Sequence, residues 1–171
     1  MQRVLILGRG GAGKSVLACE LGELTGLPVI ELDTLFWRAG KPAMDAAQWE
    51  AVQRELVQRD TWIIDGDLGP CDEALGIRLR AADTIIVVDL SFPRAAWRTL
   101  RRGRERMDYW RWTLAYRRHY LPRIMTMIAE NAPDAQVQVL RSPGMVRRFA
   151  AELAARRDGR GGGSQQQGLG S

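Results

Sequence analysis

Short apolar runs alternate along this chain with longer stretches in which apolar residues recur every three or four positions. Val4-Leu5-Ile6-Leu7 passes directly into glycines, which predicts a buried strand entering a loop. Lys14 to Thr25 follows as a predicted helix, with Val16, Leu17, Leu21 and Leu24 at helical spacing and Gly26 as its stop. Pro28 to Leu32 reads as a second strand ended by Asp33, and Trp49 to Arg59 as a helix with Trp49, Val52, Leu56 and Val57 on one side. Thr61 to Ile64 is a third strand, closed by Asp65-Gly66. In the fourth, Ala82 to Leu90, the core Ile85-Ile86-Val87-Val88 does not alternate, the mark of a strand covered on both faces. Helical patterns over Pro93 to Arg102 and Tyr109 to Glu130 come next, the second bent at Pro122. Val137 to Leu140 is the fifth strand, and Pro143 to Arg157 a last helix with proline in its first turn. Strands alternating with helices, and buried on both faces, predict an α/β fold with a parallel sheet.

With 171 residues, 46% of them hydrophobic and 26% charged, the chain is long enough to bury a core without disulfides or a structural metal. Cys19 and Cys71 stand far apart, which excludes a disulfide scaffold, a thiolate zinc site and a CxxC redox motif, and fits a reducing cytoplasm. No apolar stretch approaches the roughly 20 residues that span a bilayer, and the run after Met1 is too short for a signal peptide. No membrane association is expected. After Arg157 the composition turns to Gly, Ser and Gln, so residues 158–171 are expected to be a disordered tail behind one domain of residues 1–157.

The charge changes the picture more. The formal net charge is +5, Lys14 and Lys41 are the only lysines, and between Arg94 and Arg123 ten arginines are opposed by Glu105 and Asp108 alone. Such a block suits nucleotide phosphates, nucleic-acid phosphates, or water.

Gly8-Arg9-Gly10-Gly11-Ala12-Gly13-Lys14-Ser15 matches G-x-x-x-x-G-K-[ST] at every fixed position, with an apolar strand before it and an amphipathic helix after it. The glycines let the backbone bend around anionic oxygens at a helix N-terminus, so Gly8, Gly10, Gly11, Ala12 and Gly13 are candidate phosphate-binding residues. Lys14 would reach the β- and γ-phosphates, and the Ser15 hydroxyl would ligate Mg²⁺. The competing reading is a glycine-rich turn that merely packs helix on strand. Absences narrow the class. With two lysines in all, no Asn-Lys-x-Asp guanine reader exists, and the third strand runs into Asp65-Gly66-Asp67 with no water-polarising glutamate. That arrangement suits transfer to an acceptor better than hydrolysis.

The phosphate loop, Asp33 after the second strand, Asp65-Gly66 after the third and the arginine segment after the fourth together resemble the adenylate-kinase-like nucleoside and small-molecule kinases. Leu32 to Trp37, Trp62 to Asp67 and Arg78 to Ile86 resemble the bacterial topology modulation and adenylate-kinase-related P-loop kinases, over roughly Met1 to Ala150. The resemblance implies a three-layer P-loop NTPase fold with a five-stranded parallel sheet and a short arginine-rich lid at about residues 102–110. Two departures stand out: Asp67 and Leu68 replace the usual Asn and Tyr, and the arm after the arginine run is shortened.

The implied activity is an ATP- and Mg²⁺-dependent phosphotransferase moving the γ-phosphoryl group to a small-molecule acceptor, with a nucleoside or nucleotide among the candidates. Asp65 would hold Mg²⁺ through water; alternatively it caps the following turn. Asp33 should face the acceptor and deprotonate or position a hydroxyl, or else cap a helix starting near Thr34. Arg98, Arg101 and Arg102 share one helix face and are the closest candidates for phosphate and transition-state contacts, with Arg98 and Arg102 assigned as catalytic and nucleotide-binding. Arg104 and Arg106 fall in or beside the lid, with Arg106 the catalytic candidate; Arg117 and Arg118 follow it, and any one of these arginines is equally a candidate for a solvated face. Arg141, in Arg141-Ser142-Pro143-Gly144 after the fifth strand, is the candidate for contact with the adenine. His119 and the small apolar Cys19 are expected to be structural, and Trp37, Trp110 and Trp112 core or pocket walls. A nucleotide-regulated nucleic-acid surface is the alternative function, but no helix-turn-helix, zinc-finger or RNA-recognition signature accompanies it.

Overall fold

In the computed structural model the described residues are 1–36, 44–66, 72, 74–90 and 116–161, with side chains described as far as residue 157. The arginine segment with Arg98, Arg101, Arg102, Arg104 and Arg106, the expected helix Pro93 to Arg102, the lid, Trp37, Asp67, Leu68, Cys71, Trp110 and Trp112 lie outside the described residues, as do residues 162–171 of the expected tail.

Each of the five apolar runs becomes a strand: β1 (Arg3–Gly8), β2 (Val29–Glu31), β3 (Trp62–Asp65), β4 (Thr84–Val88) and β5 (Gln136–Leu140). All pair in parallel, in the order β2-β3-β1-β4-β5. The missing alternation in β1, β3 and β4 is explained by this order, because these three are central and both of their faces are covered. Leu5, Leu7, Trp62, Ile64, Ile85 and Val87 pack into one core, while Val4, Ile6, Ile63, Ile86 and Val88 pack into another behind the sheet. β5, at the edge, alternates exposed Gln136 and Gln138 with half-buried Val137 and Val139.

Helices cover the two faces and make three layers. α1 (Lys14–Thr25) and the C-terminal α6 (Pro143–Gly161) share one core through Leu17, Leu21, Val146 and Phe149. The other receives Trp49 and Leu56 of α3 (Ala46–Leu56), Leu75 and Leu79 of α4 (Leu75–Ala81), and Ile124 and Ile128 of α5 (Leu121–Asn131). A five-residue helix, α2 (Leu32–Phe36), follows β2 directly, and Phe36 meets Trp49 edge to face with ring centroids 5.0 Å apart.

Several sequence expectations are corrected. α4 was not foreseen as an element, and the helix weighed as starting near Thr34 begins two residues earlier: Leu32 opens α2 instead of closing a strand, and α4 carries Gly76 and a fully buried Arg78 that blur its apolar period. In α1 the buried stripe is Leu17, Ala18 and Leu21; Val16 is 66% exposed and Cys19 faces solvent. α1 packs through a narrow face, so its apolar residues outnumber its buried positions. The stretch expected as one bent helix contains a π-helical turn (Tyr116–Tyr120) before α5, with Pro122 at the junction. A proline lacks the N–H that a continuous helix would need there. α6 runs four residues past Arg157, its expected end, to Gly161.

Two polar clusters fasten the layers. Arg78 donates to Gln53 of α3 at 2.8 Å and forms an ion pair with Asp72, all three side chains being buried. Asp83 accepts from the Gln2 and Arg3 amides at 2.7 and 3.0 Å and from the Thr84 hydroxyl at 2.7 Å, joining the start of β1 to β4. Burial opposes its charge, but these donors outweigh burial and lower its pKa.

Candidate functional site

The candidate site gathers at the C-terminal edge of the sheet, where open parallel α/β sheets bind ligands. β1 ends in Gly8, whose φ of +147° takes the chain out of the strand; Gly11 at +72° and Gly13 at +92° complete the bend into α1. The Ala12 amide closes the turn on the Arg9 carbonyl at 3.2 Å. α1 then begins without any side-chain cap and with no acid in its first turn. Its leading N–H groups are thus left for an anion, where the helix dipole favours negative charge.

Lys14 arches back over the loop, its Nζ donating to the Gly8 carbonyl at 2.7 Å and the Arg9 carbonyl at 3.3 Å. Arg9 occupies a position that the motif leaves free, and its role is absent from the sequence reading. Its side chain is buried and donates to the Leu90 carbonyl, binding the loop to the end of β4. A cationic residue in the variable part of the loop is the sole signal that could have drawn attention to it.

Asp65, the last residue of β3, is 5% exposed and lies beside Ser15 and Lys14. Burial raises its pKa; the Ser15 hydroxyl and Lys14 pull it down, whereas Asp33 and Glu31 push it up. Its Oδ1 is buried without a hydrogen-bond partner. That orphaned oxygen beside a serine hydroxyl suits a hard cation that takes oxygen ligands and keeps waters, as Mg²⁺ does. Among the described residues no group of three or more His, Cys, Asp or Glu forms an all-protein cage, so phosphate oxygens and water would have to complete the shell.

Asp33 is exposed in the first turn of α2, close enough to Asp65 to act on its charge. Because α2 already begins at Leu32, Asp33 stands inside the helix and not at its cap. Glu31, unassigned from the sequence, is the register partner of Asp65 across β2 and β3, so three carboxylates cluster here.

On the far side of the loop, Asp89 follows β4 and is buried, and Arg117 donates to it from Nε at 2.8 Å and from Nη2 at 3.2 Å. This contact raises the Arg117 pKa. Arg118 and His119 are exposed. A cavity of about 160 Å³ opens between α1 and α6 beside the loop, lined by Gly13, Val16, Glu20, Pro143, Val146 and Arg147 among others. Arg141 is exposed at the end of β5 and is not part of this lining.

No family model and no curated protein sequence matches the chain. Solved structures do match in fold. Shikimate kinase from Acinetobacter baumannii in complex with shikimate superposes with a TM-score of 0.58 at 15% identity over 94% of each chain. Shikimate kinase from Bacteroides thetaiotaomicron gives 0.56 at 14% identity, over 92% of this chain and 98% of that one. The enzyme from Aquifex aeolicus gives 0.50 at 15% identity, over 95% and 99%. At such identities the likeness is one of fold: the three-layer α/β architecture is one that these shikimate kinases share. Among the described residues no helix is long and apolar enough to cross a membrane.

Proposed function

We propose that this chain is a kinase that moves the γ-phosphoryl group of ATP onto a small-molecule acceptor with the help of Mg²⁺. The observation that carries the reading is the pairing of an uncapped helix N-terminus with the half-satisfied carboxylate of Asp65 beside Ser15. A turn that served packing alone would not need a buried, unpartnered carboxylate oxygen, whose desolvation costs stability. The shikimate kinases that share the fold support a small-molecule acceptor.

The loop amides of Gly8 to Gly13 and the Lys14 ammonium bind the β- and γ-phosphates, Lys14 exchanging its carbonyl partners for phosphate oxygens. Ser15 and Asp65 hold the metal, which when bound screens the charge of the phosphate oxygens. The acceptor oxygen attacks the γ-phosphorus, the bond to the β–γ bridging oxygen breaks, and ADP departs. For an alcohol acceptor, Asp33 takes the hydroxyl proton; a phosphate acceptor needs no base. Arg98, Arg102 and Arg106 would neutralise charge building on the transferred group. The test is transfer of label from γ-labelled ATP across a panel of nucleosides, nucleotides and small alcohols. Hydrolysis as the sole activity would overturn the reading.

A further inference from the structure

The pair of Asp89 and Arg117 has no part in the phosphate loop or the metal site as described so far. Asp89 continues β4 one residue past Val88, the register partner of Gly8, and its amide donates to the Leu140 carbonyl at 3.0 Å. The next residue, Leu90, is the one whose carbonyl holds Arg9 of the loop. The Asp89 carboxylate is thus fixed through its main chain at the C-terminal edge of the sheet, on the strand beside the loop. Arg117 reaches it from the π-helical turn, an uncommon element that recurs at functional sites. Tyr116, just before it, is fully buried and anchors the turn in the core. Arg117 engages the carboxylate side on: Nε donates to Oδ1 at 2.8 Å, and Nη2 donates to Oδ2 and to the Asp89 carbonyl, both at 3.2 Å. Nη1 makes no hydrogen bond among the described residues. The exposures are unequal, the Asp89 side chain being 6% exposed and that of Arg117 49%. A buried carboxylate gripping a half-open guanidinium fixes the plane of the fork and leaves its remaining donors for a second anion.

We infer that Asp89 is a positioning residue that locks Arg117 in one orientation, so that Nη1 receives an oxygen of the polyphosphate gripped by the loop; the inference rests on phosphate binding by the loop as proposed above. An arginine free to rotate loses side-chain entropy each time it binds an anion, whereas one already held by Asp89 has lost it in folding. A lysine would bring the same charge but no planar fork for the carboxylate to hold. The Asp89 charge by itself repels a phosphate. Its benefit is orientation alone, which gives the test a sign.

Calorimetric titration of the full chain with inorganic tripolyphosphate and with ADP, in magnesium-free buffer, tests this. Asp89→Asn removes a negative charge beside the site, and Coulomb attraction alone would then tighten both ligands. Positioning predicts the opposite. The amide keeps one acceptor but turns an N–H toward Arg117, the fork is released, and tripolyphosphate should bind about tenfold more weakly, the loss expected of one charge-assisted hydrogen bond. Arg117→Lys, which keeps the charge without the fork, should weaken binding by a similar factor, and the double variant should be no weaker than either single one. A pair that served the fold alone would lower the thermal midpoint of Asp89→Asn and leave tripolyphosphate affinity as it was. If Asp89→Asn does not fold, Arg117→Lys carries the test, since it alters a half-exposed side chain. Unchanged or tighter tripolyphosphate binding in Asp89→Asn, or unchanged binding in Arg117→Lys, would overturn the positioning role while leaving the phosphate loop standing. A wild type that bound neither tripolyphosphate nor ADP would remove the kinase reading itself, and this inference with it.

Discussion

Gly8 and Val88 are register partners on neighbouring parallel strands, and a Cβ at Gly8 would stand 2.5 Å from the Val88 carbonyl oxygen. The backbone at Gly8 also holds a φ of +147°. Both constraints bear on a main-chain atom that has no rotamer to change. Gly8→Ala should therefore cost about 2–3 kcal/mol, a fall of roughly 4–12 °C in thermal midpoint for a chain of this size. Nucleotide binding should be lost as well, because the bend begins here. A thermal melt with and without nucleotide reads both effects, and a variant with wild-type melting would show that the strand pair can spread.

Lys14→Ala separates chemistry from folding. The ammonium is half-buried, and among the described residues it donates to two loop carbonyls, which water can solvate in its place. Stability should change by less than about 1 kcal/mol. Phosphoryl transfer should fall by about 10²–10³-fold or more, the usual consequence of losing a preorganised charge at the reacting group.

Asp65 sets stability against function. Its pKa is raised in the folded state, so the native protein holds its proton more tightly than the unfolded chain does. The cost of ionising it is absent below the unfolded value near 3.8 and grows as pH rises through the folded value. At neutral pH, Asp65→Asn should melt higher than the wild type without ligands, by about 2–4 °C per kcal/mol relieved, and the gap should close in acid. The same variant should lose the Mg²⁺ dependence of nucleotide binding. A lower melting point at neutral pH would show that the carboxylate is needed by the fold.

Arg78 and Asp72 test how a buried pair behaves beneath α3 and α4. Arg78→Met alone takes the guanidinium away from the buried Asp72 carboxylate and should destabilise by about 3–5 kcal/mol. The double change Asp72→Leu with Arg78→Met replaces the pair by apolar volume and should recover most of that loss. Chemical denaturation of the single and double variants measures the coupling. A double variant as unstable as the sum of its singles would mean that Gln53 and its neighbours cannot repack.

Much of the candidate site was legible because its signals are local. The loop from Gly8 to Ser15 is one contiguous run, and Asp65 ends a short apolar run, closed by glycine, that reads as a buried strand. Asp33 was legible for the same reason, although the helix weighed there begins at Leu32 and not near Thr34, so Asp33 lies inside it. Arg9 escaped notice because the motif places no demand on its position, and its partner Leu90 is far away along the chain. α4 escaped because its inward face carries an arginine. Burying that charge becomes possible only when Asp72 and Gln53 arrive from elsewhere.

By itself the sequence determined the five strands and the helices α1, α3 and α6, and marked Gly8 to Ser15 as the candidate phosphate loop, since periodicity and glycine placement are properties of adjacent residues. The tertiary structure alone decided that β3 and β4 flank β1, that Ala18 is buried while Val16 is not, and that Glu20 meets the same cavity as Arg147. A repeat of two or of 3.6 residues says which side of an element is apolar, but not which neighbour will cover it. That choice is made by contacts between residues distant along the chain, and the raised pKa of Asp65 follows from it.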